Sequence, residues 1–272
     1  MRRILVLYRH PPGYEMRPAI ASHLHALDLQ RKGDELHYHN AYEEAPPAWL
    51  RKLEFDAVVL HTTFLCMRWD ALPRFKWRYR WVAELPCPKL AIPQDEYDHS
   101  EILDEWMFDW GVTDIFTNFA AEERRLIYPI MGSRARFHEC LTGYVDEEMA
   151  ARCAARMLPV AERRNDIVYR ASHLPFWFGS HGQLKHRIAE IVGERARAHG
   201  LRVDISTRYE DVLYGDAWAD FLMSGRVVIG AETGSSVLDR RGAEGVRRQN
   251  LQAQRWTGPA PGLRPSGRPR PR

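Results

Sequence analysis

Cysteine is scarce and scattered in this chain: Cys66, Cys87, Cys140 and Cys153 form no CxxC or similar pair. That spacing argues against a zinc site, and it predicts reduced, buried thiols in a cytosolic protein. A long apolar run is missing at the start. Met1-Arg2-Arg3 is followed only by Ile4 to Leu7 before Tyr8-Arg9-His10, too little for a signal-peptide core or a membrane span. We therefore expect a cytoplasmic protein with at most peripheral membrane contact. The sequence also lacks an internal repeat and a heptad array, which argues against stacked-repeat and coiled-coil architectures.

An excess of one charge is lacking over most of the length. Lys and Arg number 39 against 36 Asp and Glu. Seven of the arginines (Arg247, Arg248, Arg255, Arg264, Arg268, Arg270 and Arg272) and one acid, Glu244, lie after residue 242, so the rest carries 32 basic against 35 acidic residues. A mildly acidic body has no basic face of the kind that nucleic-acid binders present, and no nucleic-acid partner is expected. What is present is a globular composition, 45% hydrophobic and 28% charged over 272 residues, enough for one large domain or two ordinary ones.

Strand and helix signals alternate through most of the chain. Strands are predicted at 4–8, 35–39, 55–61, 89–93 and 114–119, with helices at 17–31, 70–84, 100–110 and 121–128 between or after them. A helix at 146–157 and the charged stretch after Pro159 read as a connector. Beyond it comes a second alternation, with strands at 166–170, 201–206 and 226–230 and helices at 183–199 and 216–223. This order indicates βαβ units and mostly parallel, doubly wound sheets, whose ligands bind at the carboxyl edge. The second region offers about three strands where a full Rossmann-like domain has about six. Residues 243–272, with five prolines and four glycines, read either as a disordered tail or as the product of a frame-shifted or truncated coding region.

Several polar residues fall at the predicted carboxyl edges. Gln94-Asp95-Glu96-Tyr97-Asp98 puts three carboxylates behind a central strand, suited to a general base, a sugar-hydroxyl binder or a metal ligand, and equally to an acidic cluster at a helix N-terminus. His61 ends a buried strand, as a base near neutral pH or as a hydrogen-bonded histidine of the sheet rim. Arg9 and His10 open the first loop, where they would hold an acceptor or a phosphate, and Asn118 ends a later strand. The stretch 170–185 joins the first strand of the second region to its first helix, where diphosphates meet helix N–H groups. Arg170, His173 and Lys185 add positive charge there. The small residues of 230–239 allow close backbone approach to a ligand, with Glu232, Ser235 and Ser236 as hydrogen-bonding groups.

The segments Ile92-Pro93-Gln94-Asp95-Glu96-Tyr97, Asp114-Ile115-Phe116-Thr117-Asn118, Asn165-Asp166-Ile167-Val168-Tyr169-Arg170-Ala171 and Gly230-Ala231-Glu232-Thr233-Gly234-Ser235-Ser236-Val237-Leu238-Asp239 resemble bacterial family-1-type glycosyltransferases, including the spore-maturation-protein-like group linked to surface polysaccharide synthesis. The likeness spans roughly residues 1–242. It implies a GT-B fold: an acceptor-side Rossmann-like domain at 1–158 and a donor-side one at 159–242, here incomplete, before the tail at 243–272.

The function implied by the resemblance is transfer of a sugar from a nucleotide-sugar to a glycan or lipid-linked acceptor, with no cofactor and no metal expected. The resemblance places Arg170, His173, Gly179 and Lys185 toward the diphosphate, and Glu232, Ser235 and Ser236 near the donor. It implies Asp95, Glu96 or His61 as the base, with Arg9, His10 and Asn118 on the acceptor side. The family's further βα units and ribose-gripping acid have no counterpart after the Gly-Ser loop. A non-catalytic nucleotide- or glycan-binding relative is the second expectation, and an adaptor binding acidic partners through its basic tail the third.

Overall fold

The computed structural model describes residues 1–242 apart from 31–32, 43–44, 70–71, 142–145 and 233. The expected tail at 243–272 lies outside the described residues. Six strands form one wholly parallel sheet: β1 (Arg3–Tyr8), β2 (Glu35–Asn40), β3 (Ala57–Leu60), β4 (Lys89–Ala91), β5 (Asp114–Thr117) and β6 (Arg136–Glu139), in the order β2-β1-β3-β4-β5-β6. A second parallel sheet is built from β7 (Asn165–Arg170), β8 (Val203–Ser206) and β9 (Gly225–Val228), in the order β8-β7-β9. The chain is thus a mixed α/β protein with parallel sheets of six and three strands, compatible with Rossmann-like folds.

Side-chain alternation in β1 explains why the first sheet is covered on both faces. Leu5 and Leu7 point into the larger core, with Val58, Leu60, Ala91 and Ile115 of the neighbouring strands. That face is closed by Phe64 of α3 (Thr62–Leu65), Phe75 of α4 (Leu72–Arg78), and Leu103 and Trp106 of α5 (Ser100–Asp109). Ile4 and Val6 point the other way, with Val59 and with Leu24 of α1 (Pro18–Leu24).

The predicted helix over 17–31 is instead broken. α1 ends at Leu24 with His25 as its C-cap, whose N–H still reaches the Ala21 carbonyl at 2.9 Å, and α2 (Ala26–Gln30) restarts behind a turn in which Asp28 N–H bonds the His25 carbonyl at 3.0 Å. The Asp28 carboxylate also holds the His25 ring at 2.9 Å, so a local side-chain bond competes with the helical ladder. The helix predicted over 70–84 shortens to α4 and a following 3-10 turn, and β6 has no predicted counterpart; the remaining elements keep to the expected pattern within a few residues at their ends. An unexpected one is the single turn α3, directly after β3.

After α6 (Ala121–Ile127) and β6, helix α7 (Glu147–Arg156) leads to the second sheet. Asp146 caps its first turn through Met149 N–H at 2.9 Å, and the same carboxylate accepts from Ser22 of α1 at 3.1 Å. At its other end Arg156 pairs with Asp220 of α9 (Gly215–Met223). The second sheet has a small core of Val168 and Tyr169 of β7, Ala189 and Ala196 of α8 (Gly179–Ala198), and Phe221 of α9. Gly225 is required where β9 meets β7, because a Cβ there would sit 2.5 Å from Val168.

The chain then returns to the first sheet. Asp239 forms a parallel bridge with Asp98, and its N–H bonds the Tyr97 carbonyl at 2.9 Å. The carbonyls of Asp239 and Arg240 accept the N–H groups of Ser100 and Glu101 at 3.3 and 3.0 Å, the first residues of α5. Arg240 and Arg241 pair with Glu101 at 3.0 and 2.8 Å, and Arg241 with Glu105 at 2.5 Å.

Candidate functional site

The carboxyl edge of the six-stranded sheet carries a cavity of about 210 Å³. Its lining includes His61, Glu96 and Asn118 of the expected site, together with His23, Thr117 and Cys140. Glu96 is 3% exposed and is the central group. Both its carboxyl oxygens lie within hydrogen-bond reach of Thr117 Oγ1, at 2.9 and 2.8 Å, and the Tyr128 hydroxyl donates to Oε2. Burial pushes its pKa up to about 7, against the pull of the Tyr128 and Thr117 hydroxyls and the Arg68 and Arg124 charges. A carboxyl that titrates near neutrality at a strand end is suited to accept or hold a proton at working pH.

The loop bearing Glu96 is held from beneath by Arg68, 2% exposed. Its guanidinium donates to the carbonyls of Leu65 at 3.1 Å, Gln94 at 2.7 Å, Asp95 at 2.9 Å and Asp98 at 3.0 Å. Asp95 takes a left-handed φ of 51°, which turns the chain and sends Glu96 inward. The Asp95 carboxylate accepts from the Tyr97 hydroxyl at 3.0 Å, and Asp95 is not among the cavity residues. Of the two expected carboxylates, the structure brings only Glu96 into the cavity.

His61 is buried at the start of α3 and caps it. Nδ1 accepts from the Thr63 N–H at 3.2 Å and lies 2.9 Å from the Thr63 hydroxyl, while Nε2 faces His23 Nδ1 at 2.9 Å. The capping bond leaves Nδ1 unprotonated, so Nε2 carries the proton and donates to His23. Burial, with the nearby His23 and His25, drives the His61 pKa down to about 3. Of the two roles read from the sequence, these contacts match the hydrogen-bonded rim histidine and leave no nitrogen for base chemistry.

Arg9 and His10 stand on the adjacent loop. The Arg9 N–H bonds Thr63 Oγ1 at 3.1 Å and its guanidinium lies 4.6 Å from the centre of the Tyr42 ring. The His10 N–H bonds Asn40 at 3.0 Å, and its ring bonds the Tyr14 carbonyl at 2.8 Å.

The expected donor residues divide into two groups. Gly179, Glu232, Ser235 and Ser236 gather at the N-terminus of α8. Ser235 Oγ and Ser236 N–H both donate to the Phe178 carbonyl, at 3.1 and 3.0 Å, and Ser180 Oγ donates to Ser236 Oγ at 3.1 Å. Glu232 reaches His181 at 3.6 Å. Gly179 has φ 71° and ψ −159°, a region essentially restricted to glycine, and a Cβ there would lie 2.2 Å from Ser236 Oγ. The N-cap residue Phe178 makes no side-chain capping bond, and among the described residues no side chain is bonded to the first N–H groups of this helix.

Arg170 is elsewhere. Its guanidinium turns along β8 and bonds the Asp204 carboxylate at 2.6 Å and the carbonyls of Asp204, Tyr169 and Asp211 at 3.1–3.2 Å. The expectation that Arg170 faces a diphosphate with the Gly-Ser loop is corrected: the acidic residues arriving on and after β8 capture it. His173 goes to the same side, stacked at 3.9 Å on His186, whose Nδ1 lies 2.8 Å from Thr207 Oγ1. Lys185 lies in the second turn of α8, where its carbonyl accepts from Tyr169 at 3.2 Å.

The two groups of site residues are joined through Tyr97. A Cβ on Gly234 would lie 3.5 Å from its ring, and its carbonyl holds Asp239. Sequence reasoning missed His23, Arg68, Thr117 and Tyr128. His23 alone carried a signal, as a histidine on a helix close after the first strand. The four cysteines are free, as expected, but half-buried rather than buried. Among the described residues no group of three or more His, Cys, Asp and Glu could hold a metal, and no helix is long and apolar enough to cross a membrane.

The chain matches no family model, no curated protein and no solved structure.

Proposed function

We propose that the protein is a sugar transferase of the GT-B type, acting on the cytoplasmic side. The cavity beside Glu96 takes the acceptor, and the N-terminus of α8 with the Gly-Ser loop takes the diphosphate of a nucleotide-sugar. The observation that carries this reading is Glu96: a buried carboxyl with a pKa near 7, at the carboxyl edge of a parallel sheet, one residue from the tyrosine that the Gly-Ser loop approaches. In the reaction the acceptor oxygen bonds to the anomeric carbon as the bond from that carbon to the diphosphate oxygen breaks. The hydroxyl proton passes to the Glu96 carboxylate. Uncapped helix N–H groups suit the charge that builds on the leaving diphosphate.

A second reading, a nucleotide- or glycan-binding relative without turnover, is favoured by one feature. The donor-side sheet has three described strands, and Val227 and Val228 on its last one are 51% and 52% exposed.

Calorimetric titration with UDP, GDP, dTDP and CMP, and then sugar release from the matching nucleotide-sugar, tests the proposal. One nucleotide should bind, and release should rise with pH through about 7 and disappear in Glu96→Gln while the nucleotide still binds. Binding without release by the wild type favours the second reading. Absence of binding by all four at millimolar concentration overturns both the transferase and the nucleotide-binding reading.

A further inference from the structure

The cavity that holds Glu96 is walled largely by hydrocarbon: Ala19 and Ile20 of α1, Ile92 and Pro93 after β4, Phe116 of β5 and Leu141 after β6. Its polar side chains are mostly committed to one another. Thr62 Oγ1 donates to Gln94 Oε1 at 3.3 Å, Thr117 Oγ1 is engaged with Glu96, and His61 Nε2 faces His23 Nδ1 at 2.9 Å. What remains for a ligand is the Glu96 carboxyl, the Asn118 amide, the Gln94 NH2 group, the Cys140 thiol and the second ring nitrogen of His23.

A hexose carries hydroxyls around its whole rim, and each one taken out of water needs a partner. These few polar groups, one of them a weakly bonding thiol, cannot meet that need from one side of the cavity. An apolar ring with one hydroxyl loses nothing there, and its hydrocarbon gains by leaving water. Size limits the ligand's bulk: drug-sized ligands fill cavities of roughly 300–1,000 Å³, whereas about 210 Å³ suits a group of one or two rings.

We propose that this cavity takes its ligand as a single hydroxyl carried on an apolar, ring-sized group, an aromatic alcohol rather than a saccharide. That this ligand is the acceptor rests on the transferase reading above.

The test is calorimetric titration of the full chain with 2-naphthol and, separately, with methyl α-D-glucopyranoside. Wild type is compared with Ile20→Asn, which makes one wall polar, and Ala19→Trp, which fills the space from an exposed position on α1. Circular dichroism checks that both variants fold. We expect 2-naphthol to bind the wild type and to bind each folded variant at least tenfold more weakly. The proposal is overturned if 2-naphthol fails to bind at millimolar concentration, or binds both variants as well as the wild type. Glucoside binding that the variants abolish also overturns it. Nucleotide titration of the same samples separates the two claims. Loss of 2-naphthol binding with nucleotide binding intact removes only the cavity's ligand class. Nucleotide binding absent with 2-naphthol bound keeps the aromatic-alcohol site and removes its role as acceptor site.

Discussion

Replacing Glu96 by glutamine should remove a specific part of the pH dependence of stability. Burial raises this carboxyl from an ordinary 4.5 to about 7 in the folded chain. Below pH 4.5 it is protonated in both states and costs nothing. Between there and about 7 the unfolded chain gives up its proton first, so stability falls by up to about 1.4 kcal/mol per pH unit. Above about 7 both states are ionised and the loss is complete, at about 3 kcal/mol in all. Between pH 5 and pH 8 the same relation gives a loss of about 2.5 kcal/mol. Glutamine has a similar shape and no titration, so Glu96→Gln lacks this slope. Urea unfolding monitored by tryptophan fluorescence, with Trp106 and Trp110 in the same core, measures it at both pH values. The wild type should lose about 2.5 kcal/mol relative to the variant on going from pH 5 to pH 8. Parallel behaviour of the two proteins would refute the claim that Glu96 is held protonated by burial.

Three further substitutions separate binding roles from structural ones. Gly179→Ala forces a side chain into a glycine-only conformation and against Ser236, so it should cost about 1–3 kcal/mol and weaken nucleotide binding at least tenfold by calorimetry. Arg170→Ala strips the Asp204 carboxylate of its partner and should cost about 2 kcal/mol by urea unfolding, while nucleotide affinity of the folded protein stays within twofold. Arg68→Met leaves four carbonyls without their donor and should cost about 3 kcal/mol or more. Its effect should appear as a lower melting temperature and an altered near-ultraviolet circular dichroism spectrum around Tyr97.

Most of the sheet was legible because its strands are short apolar runs between turn signals. Ile4 to Leu7 and Ala57 to Leu60 can be buried on both faces only in a parallel sheet covered by helices. The broken helix was not legible: the apolar stripe of 17–31 continues past His25, and nothing in its period shows that Asp28 will hold the ring. Position in the fold marked the loops at the carboxyl edge, but not where each side chain goes. Asp95 and Glu96 are equivalent as text, and the left-handed turn at Asp95, fixed by Arg68 from another segment, decides which one enters the cavity. Arg170 fails for a similar reason. Its place at a strand end was right, but the Asp204 carboxylate and the Asp211 carbonyl that bind it come from β8 and the turn after it.

The return segment connects these observations. The described residues show no strand pairing between the two sheets; Asp98 and Asp239, which lie outside both, form a single bridge. That bridge belongs to a stretch that begins at the Gly-Ser loop on α8 and ends by supplying the carbonyls for the first N–H groups of α5. A helix start normally finds such partners in its own sequence or in water. Here the N-terminus of α5 depends on a chain more than 130 residues away, and it lies immediately after the loop that orients Glu96. A ligand ordering the Gly-Ser loop therefore acts on a covalent run only a few residues from Tyr97 and Asp98. Glu96 and the Gly-Ser loop, placed on separate sheets, are held to one another by hydrogen bonds of that run, and the ion pairs of Arg240 and Arg241 with Glu101 and Glu105 fix its far end.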